Sequence, residues 1–294
     1  MQKFSVGQAL STAFEIFKAR FVPMAILTVI YYAILFAIMG TVGMALIGSM
    51  AMGMAAGPGG GDPMSSGAGA GAVGGMILLY VAIYAINFWQ QAAMCRLTSD
   101  RHEPSVGAAM TAGLGAILPL FGVLLVVVVA GFVVALVFGI AIGGAAMGTQ
   151  SSAVGVIAGL AMLAGVVYLA LRLSMTLPAI AIEDHRNPIT ALRRSWDMTR
   201  GHVLRLLALF VIVGVLIGLV GFTVLSGTAG GMMASMAAGG GATGAVPNIA
   251  AMGSLFVALV LFGLTLGIFL MALIGAIHRQ LSGESVAEVE ATFA

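Results

Sequence analysis

Of the 294 residues, 61% are hydrophobic and 7% charged, with 12 Lys and Arg against 10 Asp and Glu for a net charge of +2. Globular domains carry about 45–50% apolar and about 25% charged residues, so a soluble fold is excluded and no nucleic-acid partner is expected. Six long apolar runs use up most of the chain, and what remains outside them is too short for a domain with its own core, so any function lies among the spans or at their surfaces.

The runs fall near residues 22–47, 76–95, 116–142, 154–177, 203–226 and 252–277. About 20 apolar residues at 1.5 Å rise cross roughly 30 Å of hydrocarbon, which each run can do. The chain opens on an amphipathic segment in which Ser5 and Gln8 fit a capping box. The first run is too long for a cleavable signal peptide and lacks its flank, so it is expected to stay as a span. All Lys and Arg, and all Asp and Glu except Asp62, fall in alternate connections: the N-terminal segment, 96–115, Arg172–Arg205 and the C-terminal tail. By the positive-inside rule, both termini and these connections are cytoplasmic, where basic groups meet anionic headgroups.

The N-terminal pattern recurs. Ser5-Val6-Gly7-Gln8-Ala9-Leu10 is echoed by Ser105-Val106-Gly107-Ala108-Ala109-Met110 and, more distantly, by Asn187-Pro188-Ile189-Thr190-Ala191-Leu192. Setting Ala9-Leu10 on Ala191-Leu192 also sets Phe14 on Trp196 and Lys18 on Arg200, while Arg96, Arg172 and Arg279 each close an even-numbered span. The expected fold is therefore an all-α integral membrane protein, a single six-span domain over 1–294. Its three repeats (1–100, 101–186 and 187–294) each pair an amphipathic interfacial helix with a helical hairpin.

The turns at 48–75 and 227–250 consist mainly of Gly, Ala, Ser and Met and are expected to be flexible. Gly139/Gly143, Gly155/Gly159, Gly214/Gly218 and Gly263/Gly267 are small-xxx-small pairs that let helices approach closely. Asn187 before Pro188 fits an N-cap, and Ser285 with Glu288 repeats the capping box in the tail. In the third copy Ile189, Leu192, Trp196 and Val203 form an apolar stripe, with Arg193, Arg194, Asp197 and Arg200 largely opposite. Such a helix lies in the interface with its arginines toward phosphates, either as a binding element or as an anchor.

Span 2 has the most polar face: Tyr80, Tyr84, Asn87 and Gln91 recur at offsets of four, three and four. In hydrocarbon these groups need protein or water, so they mark either a polar pathway or hydrogen bonding between helices. Arg172 is followed by ten residues without an acid before Glu183. It is expected to find a partner among Glu183, Asp184, Asp197 or a lipid phosphate, or to snorkel to the interface. Pro178 is expected to break the helix and let Ala179–Ile182 fold back.

Glu183-Asp184-His185 holds metal-ligand types, but three consecutive residues cannot converge on one ion, so no metal or other cofactor is expected. Met50-x-Met52-x-Met54 and Met232-Met233-x-x-Met236 resemble Cu(I) thioether clusters, which arise easily among 20 Met. The single cysteine, Cys95, excludes an intrachain disulfide. There is no phosphate loop, nucleophile elbow or catalytic carboxylate pair, and the chain is not expected to be an enzyme.

The stretch Arg172–Leu209, with Leu177-Pro178-Ala179-Ile180-Ala181-Ile182-Glu183-Asp184 and Ala191-Leu192-Arg193-Arg194-Ser195-Trp196-Asp197-Met198-Thr199-Arg200-Gly201-His202, resembles a known pattern. It is similar to the membrane domain associated with bacterial glycerophosphoryl diester phosphodiesterases and to YciC-like inner-membrane proteins. That resemblance implies a bacterial inner-membrane domain. It carries over no catalytic residue, because His185-Arg186 lacks the glycine and downstream acidic motif of the catalytic barrel.

Together these readings lead to a non-enzymatic protein that binds anionic lipid headgroups or a protein partner at its cytoplasmic rim. The rim is built from Arg172, Glu183, Asp184, Arg193, Arg194, Trp196, Asp197 and Arg200. The alternatives are a transporter of small solutes or lipids, using the Tyr80–Gln91 face, and an intramembrane lipid-modifying enzyme.

Overall fold

The computed structural model describes residues 4–55, 67–100, 105–149, 152–238 and 249–282. These residues form helices α1 (Val6–Ala55), α2 (Gly67–Leu97), α3 (Val106–Thr149), α4 (Ser152–Leu173), α5 (Thr176–Ala181), α6 (Pro188–Thr199), α7 (Val203–Ala238) and α8 (Ile249–Ser282), with no strand among them. Six helices are long and apolar enough to cross a membrane, through Val6–Met44, Gly74–Leu97, Val106–Val137, Gly155–Ala181, Val203–Val224 and Val257–Ser282. The chain is thus a multi-pass helical membrane protein.

Two expectations about the connections need correction. The amphipathic segments of copies one and two are not separate interfacial helices, because α1 and α3 run without interruption from Val6 and Val106 into their spans. Only α6 is detached from its span. There the chain turns at Arg200–His202, where Gly201 takes a φ of 81° that ends the helix. Setting copy three on copy one puts Ala19 at the place of Gly201, and alanine continues a helix. Pro23 and Pro119 lie inside α1 and α3 without ending them, as spans tolerate when neighbouring groups satisfy the freed carbonyls.

The connections expected to be flexible at 48–75 and 227–250 are helical over 48–55, 67–75, 227–238 and 249–250. Alanine and methionine are strong helix formers, and they outweigh the interspersed glycines. Asp62, His102, Ser285 and Glu288 lie outside the described residues, and the side chains of both Met clusters lie outside those described.

The chain divides into two compact units. The first comprises Met1–Phe21, Val134–Thr176 and Leu192–Ala294. Its buried side chains recur at helical spacing, with Ala9, Ala13 and Ile16 on α1, Leu206, Leu209 and Val213 on α7, and Ile268, Ala272 and Leu273 on α8. Phe269 meets Phe14 edge-on at 5.3 Å between ring centroids.

The second unit comprises Val22–Val133 and Leu177–Ala191. Its core gathers Ala92 and Cys95 of α2, Ala116 and Leu120 of α3, Ala179–Ile182, and Ala191. After Pro178, all four residues Ala179–Ile182 are buried in this core. The break itself comes earlier, at Ser174–Met175, so Pro178 sits in the first turn of α5. No intrahelical N–H bond is needed there, and proline costs nothing.

Small residues set the close approaches, though not the pairs read from the sequence. At Gly139, Gly155, Gly159, Gly214, Gly218, Gly263 and Gly267 a Cβ would meet nothing within 4 Å among the described residues. The tight positions are in α3. A Cβ on Gly113 would stand 2.8 Å from the Trp89 carbonyl oxygen, and one on Gly122 would collide with the Pro188 ring.

Candidate functional site

The eight residues expected to share a rim divide between the two units. Arg172, Arg193, Arg194, Trp196, Asp197 and Arg200 belong to the first, and Glu183 and Asp184 to the second.

In the first unit Arg172, near the end of α4, has Tyr168 and Trp196 as its hydrogen-bond partners among the described residues. Its Nε and Nη2 donate to the Tyr168 hydroxyl at 3.1 and 3.0 Å, and its Nη1 donates to the Trp196 carbonyl oxygen at 3.1 Å. The guanidinium carbon also lies 4.7 Å from the Trp196 ring and 5.3 Å from the Tyr168 ring. The two rings add cation–π attraction to these hydrogen bonds, without a carboxylate. Tyr168 precedes Arg172 by four residues and so shares its helix face.

The Arg172 carbonyl oxygen, one residue before the end of α4, accepts from the hydroxyls of Ser195 at 2.7 Å and Thr199 at 3.4 Å. These bonds explain which face α6 buries. Ala191, Ser195, Met198 and Thr199 are buried, whereas Ile189, Arg193, Trp196 and Asp197 are exposed. The expected separation of an apolar stripe from the arginines therefore fails. Ile189 and Trp196 share the exposed sector with Arg193, because small residues and hydroxyls do the packing. The helix start agrees with expectation: the Ile189 N–H donates to Asn187 Oδ1 at 2.9 Å, ahead of Pro188.

In the second unit Arg96 Nη1 donates to Asp184 Oδ1 at 3.1 Å and to the Ala181 carbonyl oxygen at 3.4 Å. Asp184 takes a φ of 54°, a left-handed turn that Asp adopts more readily than most residues. His185 Nε2 lies 3.3 Å from Glu183 Oε2, and the two acids therefore have separate partners.

Beside this turn is a cavity of about 370 Å³, lined by residues including Arg96, Thr111, Gly115, Asp184 and Arg186. Arg96, Thr111 and Arg186 were not among the sequence candidates. Arg96 was read only as closing a span, and only the fold-back of Ala179–Ile182 brings Arg186 near α3.

Of the polar face on span 2, Tyr80 and Tyr84 are exposed. Asn87 donates to the Tyr31 hydroxyl at 3.2 Å, and Gln91 donates to Asn87 Oδ1. The amides are thus joined to each other and to α1. Among the described residues, no three His, Cys, Asp or Glu side chains come together as a possible metal site.

Residues 108–229 are similar to a family described as a domain of unknown function, DUF7847. The matched stretch takes in Thr111, the Arg172 cage, Arg186 and α6, and leaves out Arg96. No curated protein and no solved structure matches the chain.

Proposed function

We propose that this is a non-enzymatic, multi-pass protein of the bacterial inner membrane that binds anionic lipid headgroups at its charged face, in support of envelope or lipid homeostasis. Both termini are cytoplasmic in this reading, and the three sequence repeats reflect one duplicated unit. The observation that carries it is the exposed sector of α6. The Arg193 side chain has no hydrogen bond or ion pair among the described residues, and it lies beside exposed Ile189 and Trp196. Side chains of these kinds suit the boundary between hydrocarbon and headgroups, with the ring and alkyl group below and guanidinium groups reaching phosphate. Arg200, just beyond the helix, is exposed as well.

The confinement of charge to alternate connections supports the orientation. The similarity of Arg172–Leu209 to the membrane domain associated with glycerophosphoryl diester phosphodiesterases supports a setting in lipid chemistry. The same exposed arginines would serve a protein partner. Transport along the Tyr80–Gln91 face is the weaker reading, since Asn87 and Gln91 are engaged with each other and with Tyr31.

The test is mass spectrometry of lipid retained by the purified protein. Anionic phospholipid should be retained by the native chain and released by Arg193→Ala with Arg194→Ala. Equal retention in the double variant would sink the proposal.

A further inference from the structure

The cavity in the second unit is lined by no residue of α6, and it has the chemistry of an anion site. Arg186 is exposed and makes no hydrogen bond or ion pair among the described residues. Its Nη2 would lie 3.7 Å from a Cβ on Gly115, so the missing side chain at that position keeps the space beside the guanidinium open. Arg96 is bound only through Nη1, which leaves Nε and Nη2 without a hydrogen bond among the described residues. The side chain of Arg96 is 19% exposed, so its charge is partly withdrawn from water, whereas that of Asp184 is 58% exposed. Thr111 is another wall of the cavity, with its hydroxyl donating to the Ala108 carbonyl oxygen at 3.0 Å, so the guanidinium groups are the donors the cavity offers a ligand.

Two guanidinium groups face one carboxylate, so the lining keeps an excess positive charge. A guanidinium fork fits the paired oxygens of a phosphate. The volume falls near the lower end of the roughly 300–1,000 Å³ typical of ligand pockets, which suits a headgroup rather than a whole lipid.

We infer that this cavity binds a phosphate group, held by Arg96 and Arg186, with Asp184 as the built-in carboxylate that competes for Arg96. The phosphate belongs either to a phospholipid headgroup or to a soluble phosphate. This deepens the headgroup reading by naming the ligand class and a second location.

The experiment uses the full chain in two settings. In detergent micelles it is titrated with inorganic phosphate by calorimetry. In phosphatidylcholine nanodiscs with and without phosphatidylglycerol, retained lipid is read by native mass spectrometry. The native protein should bind at least one probe: phosphate binding identifies a soluble source, and retained phosphatidylglycerol a lipid source.

Arg186→Gln should weaken that binding about tenfold without changing thermal unfolding, since a charge-assisted fork is lost from an otherwise unpartnered side chain. Gly115→Leu should abolish binding by filling the space. Asp184→Asn, which keeps an acceptor for Arg96 and tolerates the left-handed turn, should strengthen binding about threefold by removing the competing charge. Binding of neither probe, unchanged affinity in Arg186→Gln, or weaker binding in Asp184→Asn would overturn the inference. Loss of lipid in the Arg193/Arg194 double variant, with both lipid retention and phosphate affinity unchanged in Arg186→Gln, would leave the α6 reading standing and overturn this one. The reverse pattern would overturn the α6 reading alone.

Discussion

The Arg172 guanidinium carbon stands 4.7 Å from the Trp196 ring, and the same guanidinium donates to the Trp196 backbone oxygen. One side chain thereby joins the end of α4 to α6 by stacking and by hydrogen bonding at once. Lysine keeps the charge but has neither the plane nor the fork. Arg172→Lys is expected to lower unfolding stability in micelles by about 1–3 kcal/mol. Trp196→Leu, which retains the carbonyl acceptor but loses the ring, should cost less. Equal stability of the lysine variant and the native chain would remove the cage as a structural element.

The glycines of α3 divide by what surrounds them. Gly113→Ala puts a methyl group against the Trp89 carbonyl, and Gly122→Ala puts one into the Pro188 ring. Each is expected to cost about 1–3 kcal/mol through overpacking. Gly159→Ala and Gly214→Ala meet open space within 4 Å. They should be neutral or stabilising by up to about 1 kcal/mol, because alanine favours the helix. Thermal unfolding of the four variants checks the ranking.

Asn187 caps α6 by accepting from the Ile189 N–H. Asn187→Ala should cost about 1 kcal/mol and Asn187→Asp much less, because an aspartate oxygen accepts the same bond. Hydrogen exchange over residues 188–192 would register the loss as faster opening of the first turn.

Asn87 joins Gln91 to the Tyr31 hydroxyl. Asn87→Leu is expected to cost about 1 kcal/mol, a typical value for a hydrogen bond between spans. Single cysteines placed at Tyr84, Asn87 and Gln91 in a Cys95→Ser background test the competing pathway reading. Protection of Asn87 and Gln91 from a small aqueous thiol reagent is the result expected of a closed amide ladder, whereas ready labelling would favour a hydrated route.

The spans were legible because hydrocarbon thickness demands long apolar runs, and nothing else in the chain competes with that signal. What separates α6 from its span was also legible, in Gly201, which stands where copy one has Ala19. The Arg172 cage was half legible, since Tyr168 lies one turn before it, whereas the Trp196 carbonyl became a partner only through the turn after α4. Arg96 and Asp184 are 88 residues apart in sequence. Their pairing depends on burial of Ala179–Ile182, a tertiary event with no local pattern. Composition also misled: methionine and alanine among glycines suggested linkers, although both residues propagate helices.

Helix α1 carries no charged residue from Phe21 to Ala55, a stretch of about 52 Å at 1.5 Å per residue. Even tilted by about 40°, near the upper limit seen for spans, it exceeds a hydrocarbon layer of roughly 30 Å. Helix α3 has no charged residue anywhere along its 44 residues. Within α1 the charges that resist entry into lipid, Glu15, Lys18 and Arg20, lie at one end only. At the opposite edge a neutral rod can slide. A thicker or thinner membrane would be accommodated there, leaving the arginine-bearing end at constant height.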